Sequence, residues 1–356
     1  MIGPVSRPTL EALRRVTSTL LDVEQAAGTL RPVVLELSSL LREAGTLPDL
    51  PRECIESGET RTRNGLAVSP TMAAMCADDV ARTVTFIRGA HAAIAEACRR
   101  CPGRPISVLY AGCGPYATLA VPLMSIYDPG EVIFTLLDIH RESVESARSI
   151  VESLGLGDFA SGFEVADAGS YRILEHEPPD VILLEVMQSC LESEPQVAVT
   201  RNLLDQAPGA ILVPTEVRID LELVDLAREF DPDAIRENRD VIQRDRIPLG
   251  PVFVLNPETV RSWRDIRDNQ LPVATVRIPS RLEPRYQPML FTVITAYEGH
   301  VLRDYDSGLS CPRQLRSRGP VGPGDTLRFR YELGAHPRLV AESSRQGLEP
   351  QQAASA

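Results

Sequence analysis

Residues 181–194 read VILLEVMQSCLESE. Val181, Ile182, Leu183 and Leu184 make a continuous apolar run, the pattern of a strand buried on both faces. The run empties onto Glu185, and a second acid, Glu194, follows nine residues later, just after Cys190 and Leu191. A carboxylate at the end of a buried strand must find a cationic partner or shift its pKa. A hairpin that returns Glu194 towards Glu185 would form a pincer of two acids. The guest that fits is a guanidinium, which is planar and offers a fork of N–H donors. Glu192, between them, reads as solvated. The plainer alternative is a pair of exposed loop glutamates, where most charged side chains sit; the apolar run ahead of Glu185 weighs against it.

Such a pincer needs a scaffold, and residues 106–214 supply a β-α-β rhythm. Residues 106–110 read as a strand, 111–116 (AGCGPY) as a tight turn and 118–127 as a helix. The next strand, 132–137, ends on Asp138. A helix over 142–154, a short strand over 163–165 ending near Asp167, the strand into Glu185, a helix over 196–205 and a strand over 210–213 complete the series. Such a rhythm predicts a doubly wound parallel sheet with its ligand site at the carboxyl ends of the strands. A Gly-x-Gly turn (Gly112, Gly114) between strand and helix suits a nucleotide or S-adenosylmethionine. Asp138, 26 residues after Gly112, is placed to accept hydrogen bonds from ribose hydroxyls. Ala117 stands three residues after Gly114, so the motif alone leaves a dinucleotide-dependent dehydrogenase open. Glu185 and the β-rich remainder weigh against it.

Elsewhere, residues 8–45 carry helical periodicity in two helices separated by Gly28 and Pro32. They are either an extension packed on the body or a dimer-forming element. Residues 47–70 read as a loop and 71–98 as a helix or helix pair. After Pro214 the rhythm changes: 217–223 alternates strictly, and 252–255, 273–278, 289–296 and 327–333 are further strand candidates. That half reads as antiparallel β, a barrel or a sandwich. Residues 228–247 read as a charged helix, and 343–356 as a frayed tail.

Composition narrows the function classes. The chain has 356 residues and a net charge of −12, which argues against a nucleic-acid partner and for cationic or small polar ligands. No apolar run reaches the length of a membrane span and the N-terminus is no signal peptide, so a cytoplasmic protein is expected. All 37 basic residues are arginine, which excludes Schiff-base chemistry, pyridoxal phosphate attachment and a P-loop lysine. Seven scattered cysteines do not suggest a disulfide framework. Cys98 and Cys101 form a lone CxxC with no second pair at metal spacing, read as incidental thiols rather than a zinc or redox site, and no metal is expected. His300 and His336 are given no role.

The chain resembles the protein arginine methyltransferases. The resemblance rests on Glu185, Met187, Cys190, Leu191 and Glu194, on the Asp-x-x-Arg-Thr-x-Thr-aromatic pattern of Asp79, Arg82, Thr83, Thr85 and Phe86, and on the Gly324-Asp325 turn. It covers about residues 71–340. It implies a Rossmann-like class I methyltransferase domain (71–214) and a β-barrel substrate domain (215–342), flanked by the N-terminal helical extension (1–70) and the tail (343–356) read from the residues themselves. It implies S-adenosylmethionine as cofactor, with Arg82 on its carboxylate, Gly112 and Gly114 beneath it, Asp138 on the ribose and Asp167 near the adenine. Glu185, Met187 and Glu194 would hold the substrate, the two glutamates being catalytic. An arginine in Arg82's place otherwise simply faces solvent.

Several positions depart from the family pattern. Tyr110 replaces an acid, Tyr116 the third glycine and Val186 a tryptophan. The barrel's threonine-histidine-tryptophan signature is absent, its place taken by Ser310, Cys311, Pro312 and Arg313, and the arm segment over 228–250 is short. A retained pincer with a rebuilt substrate wall is similar to bacterial enzymes that Nω-methylate free L-arginine in nitrosourea biosynthesis. This implies L-arginine as substrate and a homodimer built differently from the family's. A methyltransferase for another small amine or for protein arginine, and a non-catalytic partner subunit, remain alternatives.

Overall fold

The computed structural model describes residues 9–47, 55–174, 176–230 and 243–344. Helix α1 (Leu10–Leu21) is capped by Thr9, whose hydroxyl accepts from the Ala12 amide; α2 is Arg31–Ala44. Their apolar stripes, Leu13, Val16 and Leu20 on one and Val34, Leu37 and Leu41 on the other, are fully buried in the main core. Buried Arg88 fastens them by donating to the carbonyls of Leu20, Asp22 and Gln25 at 2.6–3.0 Å. The extension therefore packs its apolar stripes on the body, and those stripes do not form a dimer seam. Within 47–70 a hairpin replaces the expected loop: β1 (Thr60–Thr62) pairs with β2 (Gly65–Ala67). Thr62 pairs with Gly65, so Arg63 and Asn64 form the two-residue connection.

Helix α3 (Pro70–Met75) leads to the long α4 (Val80–Arg100), where the Asp79 carboxylate accepts from the Arg82 amide at 3.2 Å. Strands β3 (Ile106–Ala111), β4 (Val132–Asp138), β5 (Ala160–Val165), β6 (Val181–Leu184) and β7 (Ile211–Val213) form one parallel sheet in the order β5-β4-β3-β6-β7. The order reverses beside β3, so the ends of β3, β4 and β6 open onto one crevice. The expected helix over 118–127 shrinks to α5 (Val121–Met124), which Pro122 starts. Helices α6 (Arg141–Ser153) and α7 (Gln196–Gln206) fall where periodicity placed them.

Beyond Pro214 come β8 (Glu216–Asp225), α8 (Leu226–Glu229), β9 (Arg246–Leu255), α9 (Pro257–Ser262), β10 (Gln270–Arg277), β11 (Tyr286–Tyr297), β12 (His300–Leu302), β13 (Arg313–Gln314), β14 (Ser317–Arg318), β15 (Thr326–Glu332) and β16 (Arg338–Ser344). They make two sheets, β12-β11-β8-β9 with β13 on β11, and β10-β15-β16-β14. The expected closed barrel is not formed among the described residues. β9 carries Pro248 and Pro251, and β10 carries Pro272, positions with no N–H to offer across a seam. β14 also runs parallel to β16. Of the expected helix over 228–247, residues 228 and 229 fall in α8 and Arg246 in β9, while residues 231–242 lie outside the described set. At its described ends an ion network forms: Arg246 donates to buried Glu229 at 2.6 and 2.8 Å and to Asp304 at 2.8 Å. Ser343 and Ser344, expected in the tail, still pair in β16, and 345–356 lie outside the described residues.

The β-half is seated on the parallel sheet's layer by α4, which packs along β11. A methyl group on Gly89 would come within 2.6 Å of the Ala296 Cβ and 3.1 Å of the Tyr297 nitrogen. Gly89→Ala is therefore expected to destabilise the fold by about 1–2 kcal/mol despite alanine's better helix propensity. A thermal unfolding midpoint at or above that of the unaltered protein would contradict this packing.

Candidate active site

The crevice at the carboxyl ends of β3, β4 and β6 opens into a cavity of about 430 Å³. Every residue singled out as a site candidate lines it: Arg82, Gly112, Gly114, Asp138, Asp167, Glu185, Met187 and Glu194. Gly112 and Gly114 have φ of 74° and 62°, a region L side chains rarely adopt. A methyl group on Gly112 would overlap the Val186 side chain, whereas one on Gly114 would meet nothing nearer than the Ala73 Cβ at 3.6 Å. The turn is thus pinned against the acid loop on one side and open on the other. Asp138 Oδ2 accepts from the Gly114 amide and Oδ1 from the His140 amide, both at 2.9 Å. That fixes the carboxylate and leaves a lone pair on each oxygen. Asp167 turns its own loop, accepting from the Gly169 amide at 2.8 Å.

The segment between the two acids is not the expected β-hairpin. It is an irregular loop around a 3₁₀ turn, Ser189–Leu191, with Cys190, Leu191 and Ser193 at φ of 59°, 55° and 67°. Left-handed backbone at non-glycine residues persists only where surroundings over-determine it, and here they do. The Thr292 hydroxyl accepts from the Cys190 amide (2.9 Å), and Tyr331 donates to the Leu191 carbonyl (2.6 Å). The Leu66 amide donates to Ser193 O (2.8 Å), while the Ser193 amide donates to Pro337 O (2.9 Å). Gln196 clamps the loop's start, accepting from the Val186 amide at 3.0 Å and donating to Leu184 O at 3.2 Å. Both β-sheets and the N-terminal hairpin thus hold the acids in place.

Arg82 does not face solvent. It is paired with Glu185 Oε2, and among the described residues Glu185 Oε1 is buried with no hydrogen-bond partner. Burial pushes the Glu185 carboxyl upwards, against the pull of Arg82. Glu194, 8% exposed, is pushed up to about 8, chiefly by burial and then by the negative charge of Glu185. Asp79, besides capping α4, accepts from the Ser307 hydroxyl at 2.7 Å and the Gly308 amide at 3.1 Å, tying Arg82's helix to the β-half. Two buried, mutually repelling carboxylates with one orphaned oxygen suit a cationic guest that donates several hydrogen bonds.

Sequence reasoning missed Glu56, Glu59, Cys76 and His140, which also line the cavity. Only His140 had a signal, two residues past Asp138 at a strand end. Tyr110 lines the cavity, whereas Tyr116 does not and is buried in the core. The lost third glycine therefore leaves the turn's approach clear. His336 lies against Arg61 at 3.1 Å, outside the cavity. Cys98 and Cys101 are free thiols, and no cluster able to hold a metal occurs among the described residues.

No protein-family profile matches the chain, and no curated protein matches it in sequence. Among solved structures it is similar to the Trypanosoma brucei PRMT1 enzyme-prozyme heterotetrameric complex with AdoHcy, at a TM-score of 0.50 and 13% identity. The match covers 76% of this chain and 92% of that one. The likeness is one of fold: a parallel sheet with helices, followed by an antiparallel β-region. Among the described residues no helix is long and apolar enough to cross a membrane.

Proposed function

We propose that the chain is an S-adenosylmethionine-dependent N-methyltransferase acting on the guanidino nitrogen of free L-arginine. The observation that carries this reading is the pairing of Glu185 and Glu194 in one cavity, with Glu185 Oε1 buried and unpartnered. The fold is shared with a structure that holds AdoHcy, and the Gly112–Gly114 turn and Asp138 fit that cofactor: an open backbone cradle, and a fixed carboxylate with free lone pairs for two ribose hydroxyls. Asp167 would lie by the adenine, and Arg82 would share its donors between Glu185 and the cofactor's carboxylate.

When bound, S-adenosylmethionine supplies an electrophilic methyl group on sulfonium sulfur. The chain's own residues do the rest. A guanidinium is a poor nucleophile because its charge is delocalised and its pKa exceeds 12. Glu185 and Glu194 grip it on two edges and draw positive charge away from the attacking nitrogen, while Met187 walls the guest. They hold that nitrogen in line with the methyl group, so acceleration comes from orientation and fixed charge. The nitrogen would take the methyl as its bond to sulfur breaks, the neutral thioether S-adenosylhomocysteine being the leaving group, and would lose one proton late. Glu194, ionised once the guanidinium has displaced its proton, is the carboxylate placed to receive it.

Free arginine, rather than an arginine in a protein, is favoured by the rebuilt wall where the methyltransferase family has its threonine-histidine-tryptophan motif. The same wall, beside the retained pincer, supports a natural-product role, and the short arm segment over 228–250 supports a homodimer built differently from the family's. The test is mass spectrometry of the protein with S-adenosylmethionine and L-arginine, beside an Arg-rich peptide. One methyl on arginine alone supports the reading. Methylated peptide with untouched arginine overturns the substrate, and neither product overturns the activity.

A further inference from the structure

Two arginines, Arg82 and Arg313, are among the described residues that line the cavity. Arg82 is engaged by Glu185. Arg313 is held differently. Its backbone pairs with Leu290 of β11, and its Nε donates to the Ser189 hydroxyl at 2.6 Å. Ser189 is buried and lies on the loop between the two acids. Nη1 stands 3.9 Å from Glu192, an ion pair open to solvent and therefore weak. Among the described residues neither terminal nitrogen of Arg313 donates a hydrogen bond. The guanidinium is thus oriented through Nε while its terminal fork stays open, the geometry that receives a carboxylate through two parallel hydrogen bonds. The turn before it is fixed too, because Ser307 and Gly308 are bonded to Asp79.

We propose that Arg313, braced by Ser189, is the subsite for the α-carboxylate of a free amino acid whose side-chain cation occupies the Glu185–Glu194 pincer. The inference rests on the function proposed above and adds the group that selects the substrate. A peptide-linked arginine presents a neutral amide to this subsite and loses the charge-assisted pair. A cationic, Arg-rich peptide is also repelled by a fixed positive charge beside the pincer.

The test compares L-arginine with L-argininamide, which differs only in its neutralised carboxylate. Calorimetry in the presence of S-adenosylhomocysteine is run beside turnover. The unaltered protein should prefer L-arginine by about 10- to 100-fold in both Kd and kcat/KM. Arg313→Gln should collapse that preference, mainly through Kd and KM, and Arg313→Lys should restore part of it through charge without the fork. Retained S-adenosylhomocysteine affinity shows that the variants are folded. Equal treatment of the two ligands by the unaltered protein, or a preference that survives in Arg313→Gln, overturns the subsite and leaves methyl transfer standing. Absence of methylation from both ligands overturns the methyltransferase reading instead, while the calorimetry still decides the subsite.

Discussion

Replacing Glu185 by glutamine is expected to reduce methyl transfer to L-arginine by about a thousandfold or more in kcat, with the protein still folded. Removing one preorganised polar group aimed at developing charge commonly costs a factor of 10² to 10³. Here the loss is compounded, because Glu185 also aims the guanidinium. The glutamine amide keeps the shape of the side chain but withdraws the charge that localises the cation. Stability should fall while the fold is kept. The substitution removes the desolvation cost of Glu185 but leaves the buried Arg82 without its paired carboxylate, a change that commonly costs about 3–5 kcal/mol, so a lower unfolding midpoint is expected alongside the loss of activity. A secondary readout belongs to the same variant. The charge of Glu185 raises the Glu194 pKa, so Glu185→Gln should lower it. Turnover of Glu185→Gln within tenfold of the unaltered protein would sink the pincer mechanism.

The second large effect is on pH. Glu194 has an ordinary value of 4.5 and is pushed up to about 8 in the folded protein. Below that value the pocket carries a protonated Glu194, and a guanidinium guest must displace the proton. Affinity for L-arginine should therefore rise by nearly tenfold per pH unit from pH 6, about fiftyfold by pH 8, and level off above. Proton release on binding should appear in calorimetry as an enthalpy that varies with buffer ionisation. Stability moves in the opposite sense. Between 4.5 and about 8 the folded state holds a proton that the unfolded state has lost, so Glu194's contribution falls as pH rises through that window and is constant outside it. Glu194→Gln removes this dependence, and its stability relative to the unaltered protein should climb across the window by an amount on the order of several kcal/mol. Arginine affinity that stays flat from pH 6 to pH 8 would show that Glu194 is already ionised.

Much of this architecture was legible because it is local. The run from Val181 to Leu184, set in a β-α-β rhythm, reads as a buried strand, and a buried parallel strand delivers Glu185 to the ligand end of its sheet. Gly112, Gly114 and Asp138 follow from the same rule, since a strand end fixes where its next residue stands. The alternation over 217–223 marked β8, and the stripes of α1 and α2 marked two amphipathic helices.

What the sequence left open depends on partners far away in the chain. The loop from Glu185 to Glu194 is not a hairpin, because its left-handed residues are stabilised by Leu66, Thr292, Tyr331 and Pro337 rather than by a local ladder. Helical periodicity could not say what α1 and α2 cover; Arg88 and the main core decide that they pack on their own body. Alternation predicted antiparallel strands but not closure, which depends on which strand edges meet. Arg82 carried no mark of its partner, and neither did Arg313. The sequence by itself determined that two acids and a glycine turn meet at one end of a parallel sheet, because strand direction and period are local properties. Only the tertiary structure decided which charges pair, which oxygen is left unpaired and which guanidinium faces the cavity. Burial and Coulomb energies depend on neighbours that chain order does not name.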